Sequence, residues 1–367
     1  MKKSLLTAAC ALLGGLPGVA VMAQPFDDEP FDPIAVEDGS AGWFPSIYGP
    51  DDQLGALNEI TPEKTLEALM IIKPNKNKPP KTYNLGEIME PGINAFGSRV
   101  YDQVYSSPPN PGPNYTGDNG LNGTEETIYT TYQIATQVDG LPHIGVRSVF
   151  YNGFTADNLV AGDPSGADVL GQEHVDPFVT RGILLDVLAV KIANGETDAL
   201  GDFNGKTILA DSYRITVEDL QEAMAFGGID EIRPGDVVIL RTGWSALYGT
   251  DPALKTRYTF LEPGIYLREA RWLAQFRPAI VASDAPALEV LPAPAPWTGL
   301  QWFPVHQVLM VRHGIRIGEA FNSEELSADG VYEFVFFYTP QRAKGATASN
   351  TAPAALGQPG FRGPAKR

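Results

Sequence analysis

Between Gln133 and His143 the chain sets two amides, a carboxylate and an imidazole at positions 133, 137, 139 and 143, all of one parity. Alternate side chains of an extended strand point the same way. The run Gln133-Ile-Ala-Thr-Gln137-Val-Asp139-Gly-Leu-Pro-His143 therefore predicts one strand face carrying four polar ligands. Buried without partners, that face would be costly. A divalent cation would satisfy all four side chains at once, so the fold has to supply such an ion, or equivalent partners, where this segment is buried.

The first 23 residues read as an export signal: Lys2 and Lys3, an apolar stretch from Leu5 to Val21, then Val21-Met22-Ala23 before Gln24. Gly14, Gly15 and Pro17 interrupt the apolar run and argue against a retained membrane helix. Cys10 is the only cysteine and lies inside this signal, so the mature chain can use neither a disulfide nor a thiolate ligand. The net charge of −17 argues against nucleic acid or an anionic membrane as partner. These features predict a periplasmic or secreted protein cleaved after Ala23, without membrane attachment.

Residues 24–41 are acidic and Pro-rich and read as a lead-in arm. Thr61-Pro62-Glu63 gives a cap, a first-turn proline and an acidic first turn, which with Leu66, Leu69 and Met70 predicts a helix over 62–72. Residues 106–124 form a Pro/Gly/Asn-rich loop just before the motif, either a lid or rim or simple surface disorder. Apolar runs predict strands at 181–187, 207–210, 237–240 and 280–283, with a terminal strand over 332–338. Thr216 and Asp219 form a capping-box pair for a helix over 217–225, and residues 264–276 read as a second helix ending before Pro278. Residues 341–367 read as a wrapping arm or frayed tail, with 357–367 a flexible basic end.

Four histidines are available for chemistry: His143, His174, His306 and His313. His306 is followed by Glu319 across an apolar run, and both are metal-ligand types. His174 is either a second site histidine or a loop residue, and His313, before Gly314, reads as structural. No Gly-x-Ser-x-Gly or Gly-rich phosphate loop occurs. Asp284, at a strand end, reads as a turn organiser or a support for a ligand. Trp43, Trp244, Trp302 and Phe303 are core residues or the walls of a pocket for a cyclic or aromatic small molecule.

The motif resembles that of the cyclase or kynurenine formamidase-like metal-dependent hydrolases, His-x-Gly-Thr-His-x-Asp-x-Pro-x-His. Here Thr136, Asp139 and His143 match, while Gln133 and Gln137 stand where the family has histidine. This is the Gln-x-x-x-Gln-x-Asp form, similar to trans-dienelactone hydrolase. Further resemblance runs from 42 to 356 through Asp51-Asp52-Gln53-Leu54-Gly55, Arg181 to Asp186, Arg241-Thr-Gly-Trp244, Ser283-Asp284 with Leu288-Glu289-Val290, and Lys344 to Ser349. It implies a single α/β domain of the swivelling β/β/α type, with a mixed sheet and flanking helices. It also implies metal ligands at Gln133, Gln137, Asp139, His306 and Glu319, with His143 as acid/base or an extra ligand. His174 is carried as a second catalytic candidate.

The cofactor that follows is one divalent metal ion, Zn2+ or Mn2+, since amide oxygens are harder ligands than imidazole. The implied activity is hydrolysis of a formamide or cyclic amide, or alternatively of a lactone ester. An exported binding protein that has kept the pocket and lost turnover is the reading of another class. The resemblance and the arms at both ends imply a homodimer or homotetramer.

Overall fold

Ile183-Leu184-Leu185, Val237 to Leu240 and Ile280 to Ala282 are apolar on both faces, the pattern of strands covered on two sides. In the computed structural model, which describes residues 27–30, 42–73, 75–113, 115–160, 166–294 and 302–360, they lie side by side at the centre of one sheet. The strands are β1 (Lys81–Asn84), β2 (Tyr101–Ser107), β3 (Glu125–Thr130), β4 (Gln137–Asp139), β5 (Phe178–Asp186), β6 (Leu200–Phe203), β7 (Lys206–Leu209), β8 (Val237–Arg241), β9 (Ile280–Ser283), β10 (Arg316–Glu319), β11 (Glu333–Tyr338), β12 (Ala348–Ser349) and β13 (Ala354–Gly357). Nine of them form a mixed sheet in the order β1-β13-β11-β5-β8-β9-β10-β4-β12. The middle four, β5-β8-β9-β10, are parallel, and antiparallel strands extend the sheet on both sides. This is the α/β domain with mixed sheet and flanking helices that the sequence predicts.

The helices are α1 (Pro62–Leu69), α2 (Ala156–Leu159), α3 (Val187–Asn194), α4 (Val217–Gly227), α5 (Lys255–Phe260), α6 (Leu267–Ala274), α7 (Pro304–His306) and α8 (Glu324–Ala328). α1 packs on β5 and β11, and α4 packs on β5 and α3. Thr61 caps α1 and the Thr216–Asp219 box caps α4, as expected, and α4 ends at Gly228 with φ +70°. The helix read over 264–276 is shorter. Ile265 forms a parallel bridge with Glu289 instead, and α6 begins at Leu267. α7 runs straight into a π-helix, Gln307–Arg312, a rare form often found at functional positions.

Four points adjust or add to the expectations. The strand over 332–338 is not terminal, because β12 and β13 follow it, and the boundary at 356 falls inside β13. Gln358 beyond it is buried and hydrogen-bonds the backbone of Lys73 and Lys78. The loop at 106–124 is the tip of a hairpin, β2–β3, whose strands are solvent-exposed along most of their length. The acidic arm is partly docked: Asp28 accepts from Arg214 and the Arg268 amide, and Asp27 from Arg271. The signal over 1–23 and the basic end over 361–367 lie outside the described residues.

Candidate metal centre

The polar motif is not one long strand. Ala135 takes a left-handed φ of 55°, only residues 137–139 are extended, and His143 turns back to donate its amide to Gly140 O. Strand parity therefore places Gln137 and Asp139 together, while backbone turns bring Gln133 and His143 alongside. β4 sits between β10 and β12, with Gln137 directly across from Glu319 and Asp139 across from Ala348. α7 delivers His306 to the same place.

Among the described residues, Asp139, His306 and Glu319 offer ligand atoms that all lie within 4.8 Å of one another. His306 Nε2 is 3.2 Å from Glu319 Oε1 and 3.7 Å from Asp139 Oδ2. The Gln137 amide donates to Glu319 and, at 3.4 Å, to Asp139 Oδ1. Gln133 stands one step out: its Nε2 reaches Thr347 Oγ1 at 2.7 Å and His143 Nδ1 at 3.2 Å. His143 Nε2 is in turn 3.7 Å from Asp139 Oδ2.

Two oxygens here, Asp139 Oδ2 and Gln137 Oε1, are buried without a hydrogen-bond partner. Such atoms are costly unless something else binds them. One divalent cation bonded to them, to Glu319 and to His306 Nε2 would remove that cost, so the residues fit the group. Burial, and then the charge of Glu319, push the Asp139 carboxyl well above the usual carboxylate range. Burial also works against a charge on His306, but hydrogen bonds to Glu289 and Glu319 outweigh it and lift the ring to about 10. At His143 burial dominates, aided by the positive charges of His306 and Arg99, and the ring is pushed down to about 3 and stays neutral.

Two neighbours escaped the sequence reading as site residues. Glu289 accepts from His306 Nδ1 at 2.6 Å and from the amides of Val305 and His306. It thereby fixes the ring so that Nε2 faces the acidic pair, as carboxylates commonly do for a metal-binding histidine. Its signals were a carboxylate in an otherwise apolar run and the resemblance carried by Leu288-Glu289-Val290, neither of which gave it a role. We expect Glu289→Gln to weaken divalent-metal affinity by about 10- to 100-fold, measured by calorimetric titration. Unchanged affinity would reduce Glu289 to a packing role. Arg99 is the other: its Nη1 lies 3.9 Å from Glu319 Oε2, and it shares a cavity with Gln133, Gln137 and Glu319.

The chain aligns over residues 66–290 with the sequence pattern of the family described as Cyclase. The chain belongs to the Cyclase family. The matched span holds the 133–143 motif and Glu289, while His306 and Glu319 lie beyond it. Among solved structures, one described as a novel cyclase is 29% identical, with a TM-score of 0.68 over 84% of this chain and 95% of its own. Isatin hydrolase A from Labrenzia aggregata shares the fold at 14% identity, with a TM-score of 0.51 over 76% of this chain and 93% of its own. The Ralstonia solanacearum isatin hydrolase A does so at 15%, also 0.51, over 76% and 92%. None of the curated proteins matches the chain.

Within this Cyclase-family site the remaining candidates fall elsewhere. His174 is exposed, and its Nε2 lies 3.9 Å from Glu173 Oε1. His313 borders a separate cavity of about 230 Å³ with Trp43 and Tyr48, and burial lowers its pKa to about 4. Asp284 organises the turn after β8, accepting from Thr242 Oγ1 and the Thr242 and Gly243 amides. Trp244 is core, and Trp302 is exposed. Phe303 alone of the four aromatics touches the site, its ring 5.1 Å from that of His306.

Proposed function

We propose that this protein is a metal-dependent hydrolase that cleaves a formamide or cyclic amide, with lactone opening as the alternative. The observation that carries this is the pair of partnerless buried oxygens, Asp139 Oδ2 and Gln137 Oε1, beside His306 and Glu319. The cation, when bound, supplies a polarised carbonyl and a water of lowered pKa. Asp139, Glu319, Gln137 and His306 would hold it, and Glu289 keeps His306 turned inward. His143 is neutral, its Nδ1 accepts from the Gln133 amide, and its Nε2 lies 3.7 Å from Asp139 Oδ2, which makes it the candidate acid or base beside the cation. With three oxygen donors to one nitrogen, the set favours Mn2+ over Zn2+. In this proposal the enzyme is exported after cleavage behind Ala23 and works as a homodimer or homotetramer.

The test is an assay of isatin, N-formylkynurenine and a dienelactone side by side, with metal content measured on the same preparation. We expect hydrolysis of one class that chelator abolishes and Mn2+ or Zn2+ restores. Turnover indifferent to chelator would overturn the proposal. Ligand binding without turnover, equally indifferent, would favour a binding protein.

A further inference from the structure

We infer that the substrate carries a carboxylate and that Arg99 receives it. Only the position of the scissile bond rests on the hydrolase proposal.

Arg99 lines the cavity that opens onto Gln137 and Glu319. Among the described residues its guanidinium donates no hydrogen bond, and its ion pair with Glu319 is long, at 3.9 Å. By contrast Arg181, Arg214 and Arg241 each hold two carboxylates. Glu319 cannot fully serve Arg99, because it already receives Gln137 and His306. The guanidinium is thus held in a site, four-fifths covered, with its donors unused.

Its placement is fixed rather than incidental. The Arg99 amide bonds Phe96 O, and next door the Val100 and Thr131 backbones tie the start of β2 to the end of β3. The guanidinium lies over the Phe96 ring, 5.5 Å from its centre. Phe96 meets Phe303 edge to face at 5.6 Å, and Phe303 meets His306. A chain of rings, each meeting the next by its edge, therefore leads from the arginine to His306.

Exposure falls along the same line, from 20% at the Arg99 side chain to 5% at Glu319 and none at Asp139. The cavity bordered by Arg99, Gln137 and Glu319 is about 20 Å³, room for one water-sized group. The reacting carbonyl belongs at the inner end, and the rest of the substrate stays on Phe96 with its charge at Arg99. At the mouth, outside the buried carboxylates of Asp139, Glu289 and Glu319, Arg99 is the cation that a substrate anion meets first. Arg99 presents the forked donor geometry that a carboxylate matches.

Matched substrates test this: 2-formamidobenzoate against formanilide, and γ-carboxy-γ-butyrolactone against γ-butyrolactone. For the hydrolysed class we expect the carboxylate member to lead by about 30- to 100-fold in kcat/KM, the range of a charged hydrogen-bonded pair. Arg99→Gln should cut that ratio to below about threefold, mainly through KM, and Arg99→Lys should keep part of it. Thermal unfolding of both variants verifies their fold. Equal rates for the paired substrates, or a ratio unchanged in Arg99→Gln, would overturn the inference. If neither pair is hydrolysed, the hydrolase proposal is judged by the isatin, N-formylkynurenine and dienelactone assay alone. Calorimetric titration with benzoate and benzamide then decides on Arg99: benzoate-selective binding lost in Arg99→Gln supports it, and absent or unselective binding refutes it.

Discussion

Asp139→Asn should leave a folded protein that no longer retains a divalent metal and has lost at least about 10³-fold of its turnover, several kcal/mol of transition-state stabilisation. Asp139 is fully buried between β10 and β12, and its Oδ2 faces both His306 and His143 at 3.7 Å with no hydrogen bond of its own. Asparagine has nearly the same shape, so packing survives and the negative charge is what disappears. Two opposite effects on stability follow. Without metal, the variant should melt higher than the wild type, because it no longer buries a carboxylate beside Glu319. With saturating Mn2+ or Zn2+, the wild type should rise, since a ligand that binds only the folded state stabilises it, and the variant should not move. Melting curves with and without metal, paired with elemental analysis, read both effects. A variant that keeps stoichiometric metal would remove Asp139 from the ligand set.

His143→Gln should lower kcat by about 10²- to 10⁴-fold, the usual contribution of a positioned acid or base, while metal content stays at the wild-type level. The ring is neutral, its Nδ1 is held by Gln133, and its Nε2 points at Asp139. Glutamine keeps a polar group in the place of the imidazole but cannot exchange a proton near neutral pH. Partial recovery of His143→Gly by added imidazole would identify the lost function as proton transfer. Metal lost in step with activity would instead make His143 a ligand, the other role its position allows.

What the sequence disclosed depended on how each segment earns its place. β5, β8 and β9 are covered on both faces, and that burial writes itself as unbroken apolar runs. β12 and β13 are built from small residues such as Ala348, Ser349, Ala354 and Gly357 and join the sheet largely through backbone pairing, which leaves no pattern to read. The β2–β3 hairpin was hidden for the opposite reason. Its strands are exposed over most of their length, so nothing enforces alternation, and a long connection replaces the short turn that marks most hairpins. At the site, residue types were legible and geometry was not. Equal parity pointed to the right side chains, yet the left-handed Ala135 and the turn after Gly140 assemble them. Glu289 and Arg99 stand far from the motif in sequence, and no local spacing ties either one to it.

β12 covers the outer edge of β4, and the adjoining Thr347 braces Gln133 through its hydroxyl and Gly140 through its carbonyl. The motif is therefore completed by residues far downstream, Thr347 lying 214 positions beyond Gln133. A polypeptide still being synthesised, or clipped short of position 347, has the donor atoms without the strand that holds them in register. Assembly of the candidate metal site thus waits on a contact 214 positions away in sequence, and no local folding of the motif completes it.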